Sequence, residues 1–371
     1  MNFDTPYVIA EIGSNHNGDM NLCRQMIDAA KEVGADAVKF QSFSDKSLIS
    51  KGEYSRREDY GDSEEDKKRH FGTLKEMVDT YWLRPDQHNE IARYCREIGI
   101  EFLSTPFSPQ ETDMLDDLNV PYFKIASMDV NHLELLKHIA SKKKPVILST
   151  GMANLGDIEN AVQTLEEYGA NGITLLHCTS VYPPEIEYLN LRNINSLFNI
   201  FELPTGYSDH TIGTDVSLIA LSLGATIIEK HFTTDKDLHG WDHWISANPD
   251  EMAQIVRYAK MDKAELEERA KSVENYGGIL GRKRRIISPT EQHKATFMRR
   301  SIVAKTALKA GHILTIDDVD FKRPGDGIRP DEFRYLLGRK LLVNVSEDHE
   351  FLWEDFGRVT FTSEGKHSQS A

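Results

Sequence analysis

From the N-terminus to about residue 270, short runs rich in Val, Ile, Leu and Phe alternate with longer stretches whose apolar positions recur every three or four residues. That alternation predicts repeated strand and helix units. The strand-like runs are YVIAEI from Tyr7, AVKFQ from Ala37, EFLST from Glu101, YFKIAS from Tyr122, PVILST from Pro145, ITLLHCT from Ile173, PTGYSDH from Pro204 and TIIEKHF from Thr226. Between them, Leu22, Met26, Ala30 and Val33 fall at helical spacing, as do Met252, Ile255, Val256 and Ala259. Eight such units predict an α/β fold, a (β/α)8 TIM barrel over residues 1–275.

Each run ends in polar residues: Glu11, Lys39 and Gln41, Thr105, Lys124 and Ser127, Ser149, His177, Asp209, and His231. In a closed barrel the C-terminal strand ends form one mouth, where active sites of this fold sit. The second unit is interrupted by residues 42–83, a charged stretch with few apolar positions, expected to carry a short helix near Thr73 and to act as a partial lid. Past Tyr276 the pattern changes. Residues 276–297 bring glycines, Pro289 and the basic run Arg282 to Arg285, expected as a solvated linker. Residues 298–358 then show short strands punctuated by turn residues, a small β-rich domain, and 359–371 form a polar tail.

Composition narrows the possible partners. With 44 Lys+Arg against 59 Asp+Glu, the net charge of −15 lacks the basic footprint that nucleic acid or an anionic membrane requires, so an anionic substrate must meet a local cluster of cations. Cys23, Cys95 and Cys178 have neither disulfide-framework nor metal-ligand spacing, which suits a reducing compartment. The opening residues lack a basic region, Glu11 interrupts their apolar stretch, and no later run approaches the ~18 apolar residues of a membrane span. A cytoplasmic protein is expected.

Lys39 and Lys124 among Thr105, Ser127 and Ser149 suit a small anion bearing carboxylate and phosphate. Imine formation at Lys124 is the rival chemistry. His210 and His231 close consecutive units, so two imidazoles side by side are candidates for a divalent ion. Glu11, at the end of the first strand, is a candidate for holding a hydroxyl or moving a proton, and Asp242 for holding sugar hydroxyls.

AEIGSNHNG, VKFQ, STPF, FKIAS, LSTGM, LHCTSVYP, GYSDHT, EKHFT and GWDHWIS, in this order, with RRSIVA and KRPGDGI behind them, make the chain similar to the sialic acid synthases with their C-terminal SAF, or antifreeze-like, domain. The resemblance covers nearly the whole chain. It implies condensation of phosphoenolpyruvate with an N-acetylmannosamine-like aldose, giving a nine-carbon 2-keto acid and phosphate. It also implies a manganese or magnesium ion on His210 and His231. Lys39, Thr105 and Lys124 would hold the carboxylate end of phosphoenolpyruvate. Ser127, Ser149, Tyr182 and Ser208 would line its phosphate, and Gln41, Glu11 and Asp242 the acceptor. Arg323 would reach the barrel of the other subunit in a domain-swapped homodimer.

Two departures bear on the acceptor. Ser180 stands where many bacterial members have an asparagine, and Met128 with Asp129 where many have Gly-Glu; Asp129 is expected to retain the acid's catalytic role from one methylene less. Legionaminate or pseudaminate synthesis from a 2,4-diacetamido trideoxy hexose is therefore an alternative. A Schiff-base pyruvate aldolase and a non-catalytic carbohydrate-binding protein are more distant ones.

Overall fold

A computed structural model describes residues 5–44, 46–56 and 73–357. Residues 57–72, the centre of the expected lid, and the tail 359–371 lie outside the described residues.

The eight strands are β1 (Tyr7–Gly13), β2 (Ala37–Ser42), β3 (Glu101–Pro106), β4 (Phe123–Ile125), β5 (Val146–Ser149), β6 (Ile173–Cys178), β7 (Thr205–Asp209) and β8 (Ile227–His231). They form one parallel sheet in the order β3-β2-β1-β8-β7-β6-β5-β4, with β3 lying against β4 to close the ring. Positions alternate across each strand. Outward residues such as Val8, Ala10, Val38, Ile125, Leu148 and Leu175 pack on the surrounding helices. Among these, Met20–Glu32 buries Cys23, Met26, Ile27 and Ala30, and Pro249–Ala259 buries Met252, Ile255, Val256 and Ala259.

Inward residues stack in layers. Tyr7, Ile9, Ala37, Leu103, Ile147, Leu176 and Ile227 form an apolar plug. Gly206 belongs to this crowded interior: a Cβ there would sit 2.5 Å from the Ile227 carbonyl oxygen and 2.8 Å from Leu176. Two residues further along the same strands, the inward positions become Glu11, Lys39, Thr105, Ser149, Cys178, Ser208 and Glu229, which face the mouth.

The C-terminal unit pairs β9 (Ser301–Ala304) with β10 (Val319–Lys322) in antiparallel fashion around Ile302, Phe321, Phe333, Leu341 and Phe351. It docks over the mouth through backbone pairing: Arg323 N–H donates to Leu48 O at 3.0 Å, and Ser50 N–H to Arg323 O at 3.0 Å. The segment expected as a solvated linker forms the helices Tyr276–Leu280 and Pro289–Met298. Arg282, Lys283 and Arg284 are exposed, but Arg285 turns inward and donates to the carbonyls of Ala153 and Thr150, because their backbone acceptors need a donor there. No helix among the described residues is long and apolar enough to cross a membrane.

Candidate active site

The strand ends and the covering domain enclose a cavity of about 270 Å³. Every expected site residue except Asp129 lines it. On its floor Lys39 Nζ lies 2.6 Å from Glu11 Oε2 and 3.3 Å from Thr105 Oγ1. Lys124 Nζ donates to Ser149 Oγ at 2.7 Å, and Gln41 donates to Glu11 Oε1 at 3.0 Å.

Between the lysines stands Glu229, which the motif analysis passed over. It is 3.8 Å from Lys39 and 3.7 Å from Lys124, and accepts from Ser208 at 3.1 Å. Its signal was present in EKHF: a residue two before His231 shares its strand face. Burial pushes Glu11 up, and the neighbouring Glu229 adds to this against the pull of Lys39. Glu229 goes the other way, because Lys124 and Lys39 outweigh its burial. Burial would lower both lysines; the carboxylates reverse it for Lys39, while Lys124 stays low with Lys39 as an added like charge.

The His210 and His231 rings are 5.6 Å apart, with Tyr182 stacked 4.0 Å from His210. His210 Nδ1 lies 2.9 Å from the Thr179 carbonyl, so that nitrogen carries the proton and Nε2 is left as the electron-pair donor. His231 is held neutral, chiefly by burial, and its Nδ1 has no hydrogen-bond partner, although Asp242 Oδ2 is 3.6 Å away. Two imidazoles available as electron-pair donors fit a divalent ion, whose other ligands would come from substrate or water. Among the described residues no group of three His, Cys, Asp or Glu forms a complete cage.

Asp129 is a correction. It is fully buried away from the cavity and paired with Arg300 at 2.6 Å, which holds its carboxyl below the usual range despite burial. Arg300 also donates to the carbonyls of Ser47, Phe107 and Phe321, so the pair fastens the C-terminal domain to the barrel loops. Met128 takes the cavity position instead, its sulfur against the Arg323 guanidinium. Delivery of Arg323 from a second subunit is not needed for this placement, since the arginine lines the mouth of its own chain.

His177 and Asp209 are strand-end residues that the cavity excludes. They fall one residue out of the inward register, so His177 faces Leu189 O at 2.7 Å and Asp209 pairs with Lys230 at 3.0 Å.

A (β/α)8 barrel with a small β domain over a charged mouth is the class that this architecture defines. The NeuB family matches residues 26–271 and the SAF domain residues 299–357. The chain belongs to the NeuB family. It is 37% identical to the N,N'-diacetyllegionaminic acid synthase of Legionella pneumophila, covering 94% of each chain, and 34% identical to human N-acetylneuraminate-9-phosphate synthase, covering 94% of this chain and 92% of that one. The crystal structure of the Bacillus subtilis spore coat polysaccharide biosynthesis protein SpsE superposes with a TM-score of 0.80 at 33% identity, covering 95% of both chains.

Proposed function

We propose that the protein condenses phosphoenolpyruvate with an N-acetylmannosamine-type aldose and water, giving a nine-carbon 2-keto sugar acid and inorganic phosphate. One observation carries this reading: two buried lysines ringed by hydroxyls share a single cavity with two imidazoles suited to a metal. Lys39, Lys124 and Thr105 bind the carboxylate end of phosphoenolpyruvate, and Ser127, Ser149, Ser180, Tyr182 and Ser208 surround its phosphate. A manganese or magnesium ion held by His210 and His231 would polarise the acceptor aldehyde.

Carbon 3 of phosphoenolpyruvate forms the new bond to the aldehyde carbon, leaving positive character at carbon 2. Water adds there, and the tetrahedral species collapses with carbon–oxygen cleavage to release phosphate. Glu11, its affinity for a proton raised by burial, supplies the proton to the new hydroxyl, with Gln41 fixing its orientation. Asp242 and Gln41 orient the acceptor. The ammonium groups offset the charge as it moves.

A second acceptor, a 2,4-diacetamido trideoxy hexose, is favoured by the outer wall. Phe43, Leu48, Met77, Val78, Met128 and Met298 line it, and an acceptor with a C6 methyl and a second acetyl methyl presents apolar surface to them where N-acetylmannosamine presents hydroxyls. Phosphate release from phosphoenolpyruvate, with manganese and each sugar in parallel and with chelated controls, tests both. Metal-dependent release with one sugar is expected; silence with all of them sinks the reading. The proposed assembly is a homodimer in which each C-terminal domain would take, on its partner's barrel, the seat that it holds here on its own. Mixing Arg323→Ala with a barrel-dead variant is expected to restore part of the activity, and confirmed heterodimers without activity would show that the arginine serves its own chain.

A further inference from the structure

The loop that follows β5 is held by its backbone. Met152 adopts φ +57°, a left-handed conformation that a residue with a side chain keeps only when its surroundings impose it. Its N–H donates to Glu291 Oε1 at 2.8 Å, and its carbonyl accepts from Arg299 at 2.8 Å. On either side, the carbonyls of Thr150 and Ala153 accept from Arg285. Two of these clamping side chains, Arg285 and Glu291, come from the segment between the barrel and the C-terminal domain, and the third, Arg299, from the start of that domain.

The same Glu291 oxygen also accepts the N–H of Ser180, at 2.9 Å, in the loop that follows β6. Glu291 is only 3% exposed, and its own N–H donates to Ser288 Oγ at 3.0 Å, which orients it at the start of Pro289–Met298. The two loops meet without slack. A Cβ on Gly151 would lie 2.1 Å from Ser180 Oγ and 2.8 Å from Ser127 Oγ, and the Gly151 N–H donates to Ser127 Oγ at 3.0 Å. A shift of either loop therefore displaces the hydroxyls that face the cavity.

We propose that Glu291 is a positioning residue for the anion pocket: by bridging Met152 and Ser180 through one oxygen, it sets the spacing of the β5 and β6 loops and so the convergence of the Ser127, Ser149 and Ser180 hydroxyls. The proposal rests on the phosphoenolpyruvate reading above. A carboxylate suits this task because charge-assisted acceptance strengthens both bonds while the side chain itself stays behind the loops.

The test is calorimetric titration of the full-length protein with phosphoenolpyruvate and with inorganic phosphate, together with the KM for each substrate, for wild type and the Glu291→Ala, Glu291→Gln and Glu291→Asp variants. Loss of the bridging acceptor in Glu291→Ala is expected to weaken both anions about tenfold or more. The acceptor KM should stay within about twofold, because the clamp touches the anion-side loops. Glu291→Gln, whose amide oxygen accepts both N–H groups, recovers most of the affinity; Glu291→Asp, one methylene short, does not. If Glu291→Ala fails to fold, the contrast between the Gln and Asp variants decides. Unchanged anion affinity in folded Glu291→Ala, or equal losses for both substrates, overturns the positioning role. Wild-type protein that binds neither anion overturns the underlying reading and this proposal with it.

Discussion

The floor of the cavity carries Glu11, Lys39, Lys124 and Glu229 on four barrel strands, all buried, whereas its outer wall is built from Phe43, Leu48, Met77, Met128, Trp241 and Met298 on loops, the β2 insertion and the helix Pro289–Met298. Charges on the floor are held by strand register and by one another, so none can change without unbalancing the rest. The side chains of the wall meet mainly through apolar packing, which tolerates exchange of residues of similar size. On the proposed reading, reaction type belongs to the floor and acceptor choice to the wall; relatives on this family scaffold are named for different sugar acids.

The largest effect expected lies at the floor's edge. His231→Ala should reduce kcat by about 10³-fold or more while circular dichroism stays native, because on the proposed reading it would remove a ligand for a carbonyl-polarising ion. Near-normal turnover would break the division between floor and wall.

The Asp129–Arg300 pair belongs to neither region, and its loss should be felt as stability. Arg300→Met strands a buried carboxylate at a cost of about 3 to 5 kcal/mol in urea denaturation. Asp129→Asn, by contrast, should leave kcat within about threefold of wild type, since it leaves the cavity lining intact. A hundredfold loss in a folded Asp129→Asn would restore Asp129 to catalysis.

Acidification tests the burial of the barrel's imidazoles. His16, His88, His132, His177 and His231 are each held below the ordinary 6.5, chiefly by burial, His16 and His177 to about 3. The unfolded chain takes up these protons near pH 6.5 while the folded chain refuses them, so stability is full above that pH and falls below it. His210 opposes the trend: burial would lower it too, but Cys178 beside it raises it. Each of the five histidines contributes up to about 1.4 kcal/mol per pH unit. Urea midpoints should therefore drop steadily between pH 6.5 and 5; a flat profile would mean that these rings are solvated.

The smallest effect belongs to the wall. Met128→Glu should shift the ratio of kcat/KM for N-acetylmannosamine over the 2,4-diacetamido trideoxy acceptor about tenfold toward the former, with the phosphoenolpyruvate KM unchanged. A fall in kcat for both sugars alike would place Met128 with the floor.

Much of the fold is legible because alternation with period two and helical spacing are local properties. Eight apolar runs, the amphipathic helices and the C-terminal β unit all follow from them. The same period explains what the strand-end inventory missed and over-counted. Glu229 shares the face of His231, whereas His177 and Asp209 sit one position out of register and turn to the helices. Residues 276–297 escaped recognition for a different reason. Glycines and a basic run resemble solvated chain, and only the docking of Arg285 and Glu291 onto barrel loops gives those side chains buried partners.

What the sequence determined by itself is the chemical stock of the mouth: which lysines, hydroxyls, imidazoles and carboxylates stand at the ends of strands, since strand register is written in neighbouring residues. Tertiary structure alone decided which of them meet. Asp129 is drawn from the cavity by Arg300, far along the chain, and Met128 fills the lining it leaves. A buried charge goes where its countercharge lies, and that partner is chosen by packing between domains, which no local pattern records.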